Sequence, residues 1–470
     1  MTCATRAEFM AAEVPTGPAP VSIWQVLRGP RADPLERWTR IAREHGAVAR
    51  YRLGLGQRYF VSTAEGAKRV LQENAANYVK QHAIYSLLRR LFGNGLFTSN
   101  GDFWLRQRRL AQPAFHRERL AAMGAQMVAA ATATAHGWEA KAASGAAVSM
   151  FREMTVLALK VVGDALFGTA LSDEAAVVGQ AWDTLNTQLA ERAARMWFVP
   201  PILPTRYDGD FRRARRSVNA VVASLIAARR KAAAPSADLL SMLVEARDAD
   251  DGAQMTDAQL RDEVMTMLFA GHETTATALA WTWALLAQHP EAERKLQGEL
   301  DRVLAGRAPC AGDFVQLPFT RAVIDESMRL HPPAYILIRR AVADDVVCGK
   351  RIRKGGVVVM SPLVLHRNPL YWERPDDFVP ERWLDAEAER RRPRFAWVPF
   401  GGGPRQCIGN SFAMMEAVLI LATLAQRFSP RLADGYVLRP EYLVLARPAQ
   451  GAPMILRKRD APANVKSPRR

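Results

Sequence analysis

The chain has 470 residues, of which 49% are hydrophobic, enough for two average domains or one large one with a substantial core. Its net charge of +17 could attract nucleic acid, membranes or acidic proteins, but no nucleic-acid motif or interleaved aromatic–basic patch accompanies it, and an arginine-heavy composition accounts for it equally well. No run of about 18 apolar residues is free of polar breaks, which excludes a transmembrane helix, and Cys3, Cys310, Cys348 and Cys407 form no Cys-x-x-Cys pair, which argues against disulfide staples, iron–sulfur clusters and zinc ribbons.

Residues 1–30 are Ala/Pro-rich and irregular, without the basic start and apolar core of a signal peptide. Asp33 and Pro34 open a helix that runs to His45. Residues 47–53 and 58–62 alternate as a hairpin around Gly54–Gly56; Leu53-Gly-Leu-Gly56 lacks the third glycine of a dinucleotide loop. Residues 64–73 are helical, and 78–100 mix aromatic, aliphatic and glycine residues without clear periodicity. Trp104 and Arg108 then share one helical face, where an indole N–H and a guanidinium can bind a carboxylate together; Arg109 is the weaker substitute. Helices follow over 120–140, 148–166 and 172–197. Three prolines in residues 198–205 break the pattern, and a basic helix resumes over 210–231.

Residues 256–289 read as one long helix, from the capping Thr256-x-x-Gln259 to Pro290. Within it, Phe269-Ala-Gly-His-Glu-Thr-Thr275 sets poor helix formers mid-helix. Threonine hydroxyls there can bond backbone carbonyls and open a bulge, and the resulting polar groove can hold dioxygen and water. His272 reads as structural or solvent-facing. Glu326 and Arg329 can pair at i,i+3. Leu330-His-Pro-Pro333, Ala334 to Arg340, His366-Arg-Asn-Pro369 and Pro380-Glu-Arg-Trp383 follow. Residues 384–395 are charged and irregular, 436–456 alternate like a hairpin, and 458–470 form a basic tail expected to be disordered.

The stretch Phe400-Gly-Gly-Gly-Pro-Arg-Gln-Cys-Ile-Gly409 precedes an apolar helical run over 410–428. Its glycines let the backbone pass close to something flat and bulky. Cys407 lies at the mouth of the helix, where the dipole and free N–H groups favour a thiolate. A lone thiolate suits an axial haem ligand better than zinc, which takes about four ligands.

This stretch resembles the haem-binding signature of the cytochrome P450 family, F-x-x-G-x-R-x-C-x-G, at every defined position. The resemblance implies a mainly α fold with a smaller β region: an irregular segment 1–30, one large haem domain over 31–457, and the tail 458–470. Haem b would lie between the long helix and the cysteine loop, bound by Phe400, Gly401 and Gly409, with Cys407 as the metal ligand. Trp104, Arg108, Arg339 and Arg405 would hold its propionates, with Arg340 the fallback for Arg339. Phe269–Thr275 is similar to the family's A-G-x-[DE]-T-T oxygen motif, so Thr274 would place a hydroxyl at bound dioxygen and Glu273 would relay protons, while Ala270 and Gly271 lie over the haem. Glu326, Arg329 and Arg382 fit a structural charge network.

The same resemblance makes residues 78–100 a mobile roof over substrate and 198–205 the tip of a lid. The substrate lining would be Phe92, Phe97, Phe198, Val199, Met267, Ala334, Tyr335 and Ile336. The activity implied is insertion of one atom of dioxygen into a hydrophobic small molecule, a terpenoid or polycycle slightly ahead of a fatty acid, for which Arg89, Arg90 or Tyr85 would be the anchor. A separate ferredoxin or flavodoxin with its reductase would supply electrons. Membrane-bound members carry an N-terminal anchor helix that this chain lacks, so a soluble, cytoplasmic, bacterial-type monomer is expected. A peroxide-driven peroxygenase is the rival on the same scaffold; a non-catalytic haem sensor or carrier is the remote one.

Overall fold

A computed structural model describes residues 6–18, 33–53, 56–168, 174–195, 208–231, 238–248 and 252–459. Its organising element is the central helix Asp257–Gln288. Thr256 Oγ1 accepts the Gln259 amide at 3.3 Å and Gln259 Oε1 accepts the Thr256 amide at 2.8 Å, the capping box read from the sequence. Pro290 ends it and starts the next helix, Pro290–Leu304. From Glu263 to Leu286 nearly every residue is buried, as expected of a helix that is apolar on all sides. It packs against the helices Met150–Phe167, Pro318–Leu330 and Asn410–Ala425, and the last of these, the cysteine helix, packs in turn on Arg117–Ser144. No helix among the described residues is long and apolar enough to cross a membrane.

The β region is a five-stranded sheet in the order Val48–Leu53, Gly56–Val61, Val357–Met360, Leu337–Ala341, Tyr78–Val79. Arg339 pairs with Val358 and Arg340 with Val357. Alternation along the strand sends the two arginines to opposite faces: Arg339 is buried and Arg340 exposed. A smaller sheet joins Ala147–Ser149, Pro453–Ile455 and Arg431–Leu432.

The Glu326 carboxylate is saturated. Arg329 Nε and Nη2 donate to it at 2.8 and 2.9 Å, Arg382 Nε at 3.0 Å, Trp383 Nε1 at 3.0 Å and the Val379 amide at 2.8 Å. The remaining Arg329 N–H groups go to the carbonyls of His366, Pro375 and Asp377. Glu326 and Arg329 have no exposed surface; such a pair is tolerated because every polar group has a partner.

Several elements differ from the sequence reading. Residues 78–100 hold an amphipathic helix, Ala83–Phe92, capped by His82; its apolar stripe of Tyr85, Leu88, Leu91 and Phe92 is buried, and the glycines after it masked the period. Arg6–Ala11 is a short helix, and the backbone of Glu13 just after it pairs with the small hairpin at Lys350. Residues 386–391 form a helix because Asp385 accepts the Glu387 and Ala388 amides. The expected long terminal hairpin is split: Pro440–Tyr442 pairs with Ala446–Pro448, whereas Pro453–Ile455 joins the other sheet. Arg459, placed in the disordered tail by the sequence reading, pairs with Asp301. The central helix runs as α-helix through 270–275 without the expected bulge: the Thr274 and Thr275 hydroxyls do donate to carbonyls four residues back, at 2.6 and 3.2 Å, but alongside the helical bonds. Phe198, Val199 and the lid tip lie outside the described residues.

Candidate active site

Within the buried central helix, one patch is accessible: Ala270 is exposed and Gly271 and Thr274 are half-buried. These residues lie one turn apart, so they form a single face. His272 and Glu273 point away from it and are buried. His272 Nδ1 bonds the Leu268 carbonyl at 2.5 Å, so it is structural rather than solvent-facing. Trp182 Nε1 donates to Glu273 Oε2 at 2.6 Å and Asn186 Nδ2 donates to Oε1; both donors sit on the helix Glu174–Arg195. Burial raises the Glu273 carboxyl to about 7 against these bonds, within reach of proton exchange near neutrality.

Cys407 precedes the cysteine helix, and its amide donates to the Phe400 carbonyl at 2.9 Å, closing the loop on itself. Although its surroundings are deep in the molecule, its side chain is exposed, so it faces a cleft rather than packed neighbours. Burial raises the thiol above its usual range while the Gly409 amide, Arg108 and Lys80 pull it down. A bound metal would favour the thiolate outright.

The glycines are required for a reason the sequence did not show. Gly403 has φ +65°, and a Cβ there would lie 1.8 Å from the Leu71 carbonyl oxygen; a Cβ on Gly402 would meet Phe395 at 2.6 Å. Both accommodate the loop's own packing. Gly401, with φ +68°, has nothing within 4 Å of its would-be Cβ and takes a left-handed turn that favours glycine.

Around this loop sits a cluster of cations. Arg405 stacks its guanidinium 3.9 Å over the Trp104 ring and donates to the Ser99 carbonyl at 2.8 Å. Arg108 donates to the Gln406 carbonyl at 2.8 Å, tying the helix Gly101–Ala111 to the cysteine loop. Arg109 turns away to Asp248. Arg339 reaches the Ile338 carbonyl at 2.9 Å and the Tyr85 hydroxyl at 3.4 Å. Lys80, which the sequence reading missed, donates to the Phe97 carbonyl at 2.8 Å and lies 4.6 Å over the Phe97 ring.

Burial, with Arg339 and Arg108 nearby, lowers Arg405 to about 9, and burial with Arg339 and Arg405 pushes Lys80 well down. Among the described residues no carboxylate pairs with Lys80, Arg108, Arg339 or Arg405. Buried cations without counter-ions are costly. A thiol at the centre and uncompensated cations at one edge fit a flat metal complex carrying two carboxylates.

The proposed substrate-lining residues separate in space. Phe92 has no exposed surface; it packs on Phe269 and Trp182 at ring separations of 4.7 and 5.8 Å. Met267 is in the core, and Ile336 packs on the cluster of Trp38 and Phe60. Tyr335 donates to the Leu443 carbonyl at 3.0 Å. Phe97 and Ala334 are half-buried. A separate cleft of about 390 Å³, lined by Trp281, His331 and Arg367 among others, contains none of these motif residues.

An accessible cysteine in a glycine loop, a cluster of cations beside it and an accessible Ala270–Thr274 patch on the central helix, in a mainly helical domain, fit a haem-thiolate protein. The family model for cytochrome P450 matches residues 14–450, and the chain belongs to that family. Cyclooctatin synthase of Streptomyces melanosporofaciens is 36% identical over 401 residues, 84% of this chain and 85% of the relative. Cyclooctat-9-en-7-ol 5-monooxygenase of the same organism is 33% identical, covering 84% of each chain. Pentalenene oxygenase of Streptomyces avermitilis is 34% identical, covering 92% of this chain and 94% of the relative. The crystal structure of the cytochrome P450DA haem domain superposes with a TM-score of 0.85 at 27% identity, covering 95% of this chain and 98% of the other. The protein is a cytochrome P450 monooxygenase with a haem–cysteine-thiolate centre, of a type that acts on hydrophobic substrates with redox partners.

Proposed function

We propose that this enzyme hydroxylates or epoxidises a terpenoid or similarly polycyclic neutral molecule, using haem b and electrons from a ferredoxin or flavodoxin. When bound, the haem supplies reductive activation of dioxygen for insertion into a C–H or C=C bond. Cys407 would be its thiolate ligand. Arg108, Arg339 and Arg405 would neutralise its carboxylates, Trp104 would donate its indole N–H to them, and Lys80 would be a fifth donor. Thr274 presents its hydroxyl to the oxygen side, and Glu273, poised at about 7, holds and releases protons behind it.

The observation that carries the substrate class is the commitment of the polar side chains at the roof. The Tyr85 hydroxyl donates to the Ile338 carbonyl at 3.1 Å and Arg89 to the Thr98 carbonyl at 2.9 Å, while Arg90 is exposed to solvent. A fatty acid needs a free cation or hydroxyl for its carboxylate; a neutral apolar guest does not. The molecules named for the Streptomyces relatives, as product or substrate, agree with this preference.

An optical titration of the haem-loaded protein tests it. Cyclic terpenes shift the haem absorption by displacing iron-bound water, and fatty acids do not. Shifts with fatty acids alone would overturn the substrate class, and a folded protein that takes up no haem would overturn the whole reading.

A further inference from the structure

Glu416 lies midway along the cysteine helix with no exposed surface, against Thr275 of the central helix. The Thr275 hydroxyl is 3.1 Å from Glu416 Oε2 and 3.2 Å from the Gly271 carbonyl oxygen. A hydroxyl has one proton and can donate to only one of them. With an ionised Glu416, one of these contacts would set two acceptors face to face. The other carboxyl oxygen, Oε1, is buried without a partner. No lysine, arginine or histidine pairs with Glu416 among the described residues. An unpaired carboxylate so placed is strongly disfavoured.

A proton on the carboxyl satisfies both contacts at once: Glu416 donates to Thr275 Oγ1, and Thr275 donates to Gly271. We infer that Glu416 is held as a neutral carboxylic acid whose proton fixes Thr275 on the Gly271 carbonyl, making it a positioning residue for the turn that carries Ala270 and Thr274. Burial acts in the same direction, raising this carboxyl well above its ordinary range. The chain Glu416–Thr275–Gly271 joins two helices, the one that follows Cys407 and the one that presents Thr274. The functional weight of this joint rests on the reading of that turn as the oxygen-facing one; the protonation state does not.

The primary measurement is an infrared difference spectrum, at pH 7, between the haem-loaded wild type and Glu416→Gln. A carboxylic-acid C=O band present in the wild type, shifted in deuterated water and lost in the variant is expected; carboxylate bands alone would overturn the inference. Amide exchange of the Thr275 N–H, whose helical acceptor is the same Gly271 carbonyl, gives the second readout. Glu416→Leu and Thr275→Val raise its exchange about tenfold, the loss of roughly one hydrogen bond. Glu416→Gln, which keeps a donor, stays near wild type. Exchange in Glu416→Gln as fast as in Thr275→Val would also overturn the inference, and this comparison holds even if Glu416→Leu does not fold. Failure of the haem reading would appear separately, as wild type without haem absorption.

Discussion

Arg405 stacked on Trp104, with Arg108, Arg339 and Lys80 within electrostatic reach, is held against its own repulsion. Such a cluster gains most when an anion enters it, because each cation is already stripped of water. Substitution should therefore act in opposite directions on the two forms of the protein. Arg339→Leu relieves repulsion and leaves the haem-free protein at least as stable as wild type, whereas it speeds haem loss by roughly tenfold, the weight of one charge-assisted hydrogen bond. Thermal unfolding of the haem-free form and haem transfer to a scavenger protein measure the two effects. A loss of stability in both forms would show instead that Arg339 is a packing residue of the sheet. Arg405→Lys is not conservative, since a lysine keeps the charge but not the planar stack on Trp104. Legibility at this scale followed distance along the chain. Cys407 and its glycines are one contiguous pattern, and Trp104 and Arg108 one helical turn. The preference for Arg339 over Arg340 came from the family resemblance, and the strand's pleat buries Arg339 and exposes Arg340. Lys80 had no local signal: what marks it is the company of Arg339 and Arg405, hundreds of residues away.

The element that the sequence left shapeless is the strap over 93–98, and the structure shows what fixes it. The Asn94 amide donates to Asp262 Oδ2 at 2.7 Å and the Leu96 amide to Glu263 Oε2 at 3.0 Å, while Gln107 donates to Glu263 Oε1 at 2.9 Å. Two successive carboxylates of the central helix thus clasp the strap and, through Gln107, the helix that carries Arg108. Glycine is needed at 95 because a Cβ there would lie 2.6 Å from Thr266 Oγ1 and 2.7 Å from the Asp262 carbonyl oxygen. Gly95→Ala should lift the strap and cost about 1–3 kcal/mol, as overpacking does, with faster proteolysis of 93–98 and weaker substrate-induced spectral shifts. An unchanged melting temperature and cleavage pattern would show that the strap is not held there. The expected mobile roof is thus tied down at its base. Sequence periodicity could not show this, because the clasp pairs residues more than 160 positions apart. By contrast the long central helix was legible end to end, since its capping box and terminal proline are local signals.

Across the whole molecule four buried acids share one direction, whereas the Arg307 guanidinium holds buried Asp313 down at about 2. Glu263, Glu273 and Asp325 are each raised by burial to about 7, and Glu416 further. They sit at the strap, behind the oxygen-facing turn, beside the Glu326 network and between the cysteine helix and the central helix. An acid whose folded pKa exceeds its unfolded value, 4.5 for glutamate and 3.8 for aspartate, binds its proton more tightly in the native state. The stability it contributes is complete below that unfolded value and is lost as pH rises through about 7. Each such carboxyl can contribute a slope of up to about 1.4 kcal/mol per pH unit across that window. These four acids favour pH 5 over pH 8, whereas His82, His272, His331 and His366, which burial lowers, favour the higher pH over the overlapping window below about 6.5. Denaturant unfolding across this range, in wild type and in a variant of one acid, isolates the acid share. Glu263→Gln separates the contributions, because the amide oxygen still accepts from Leu96 and the Gln107 amide can turn to accept from the new NH2. That variant should lose one share of the slope while keeping the strap closed. A Glu263→Gln variant with the same pH slope as wild type would mean that Glu263 is ionised in the fold, and that water or a cation reaches it.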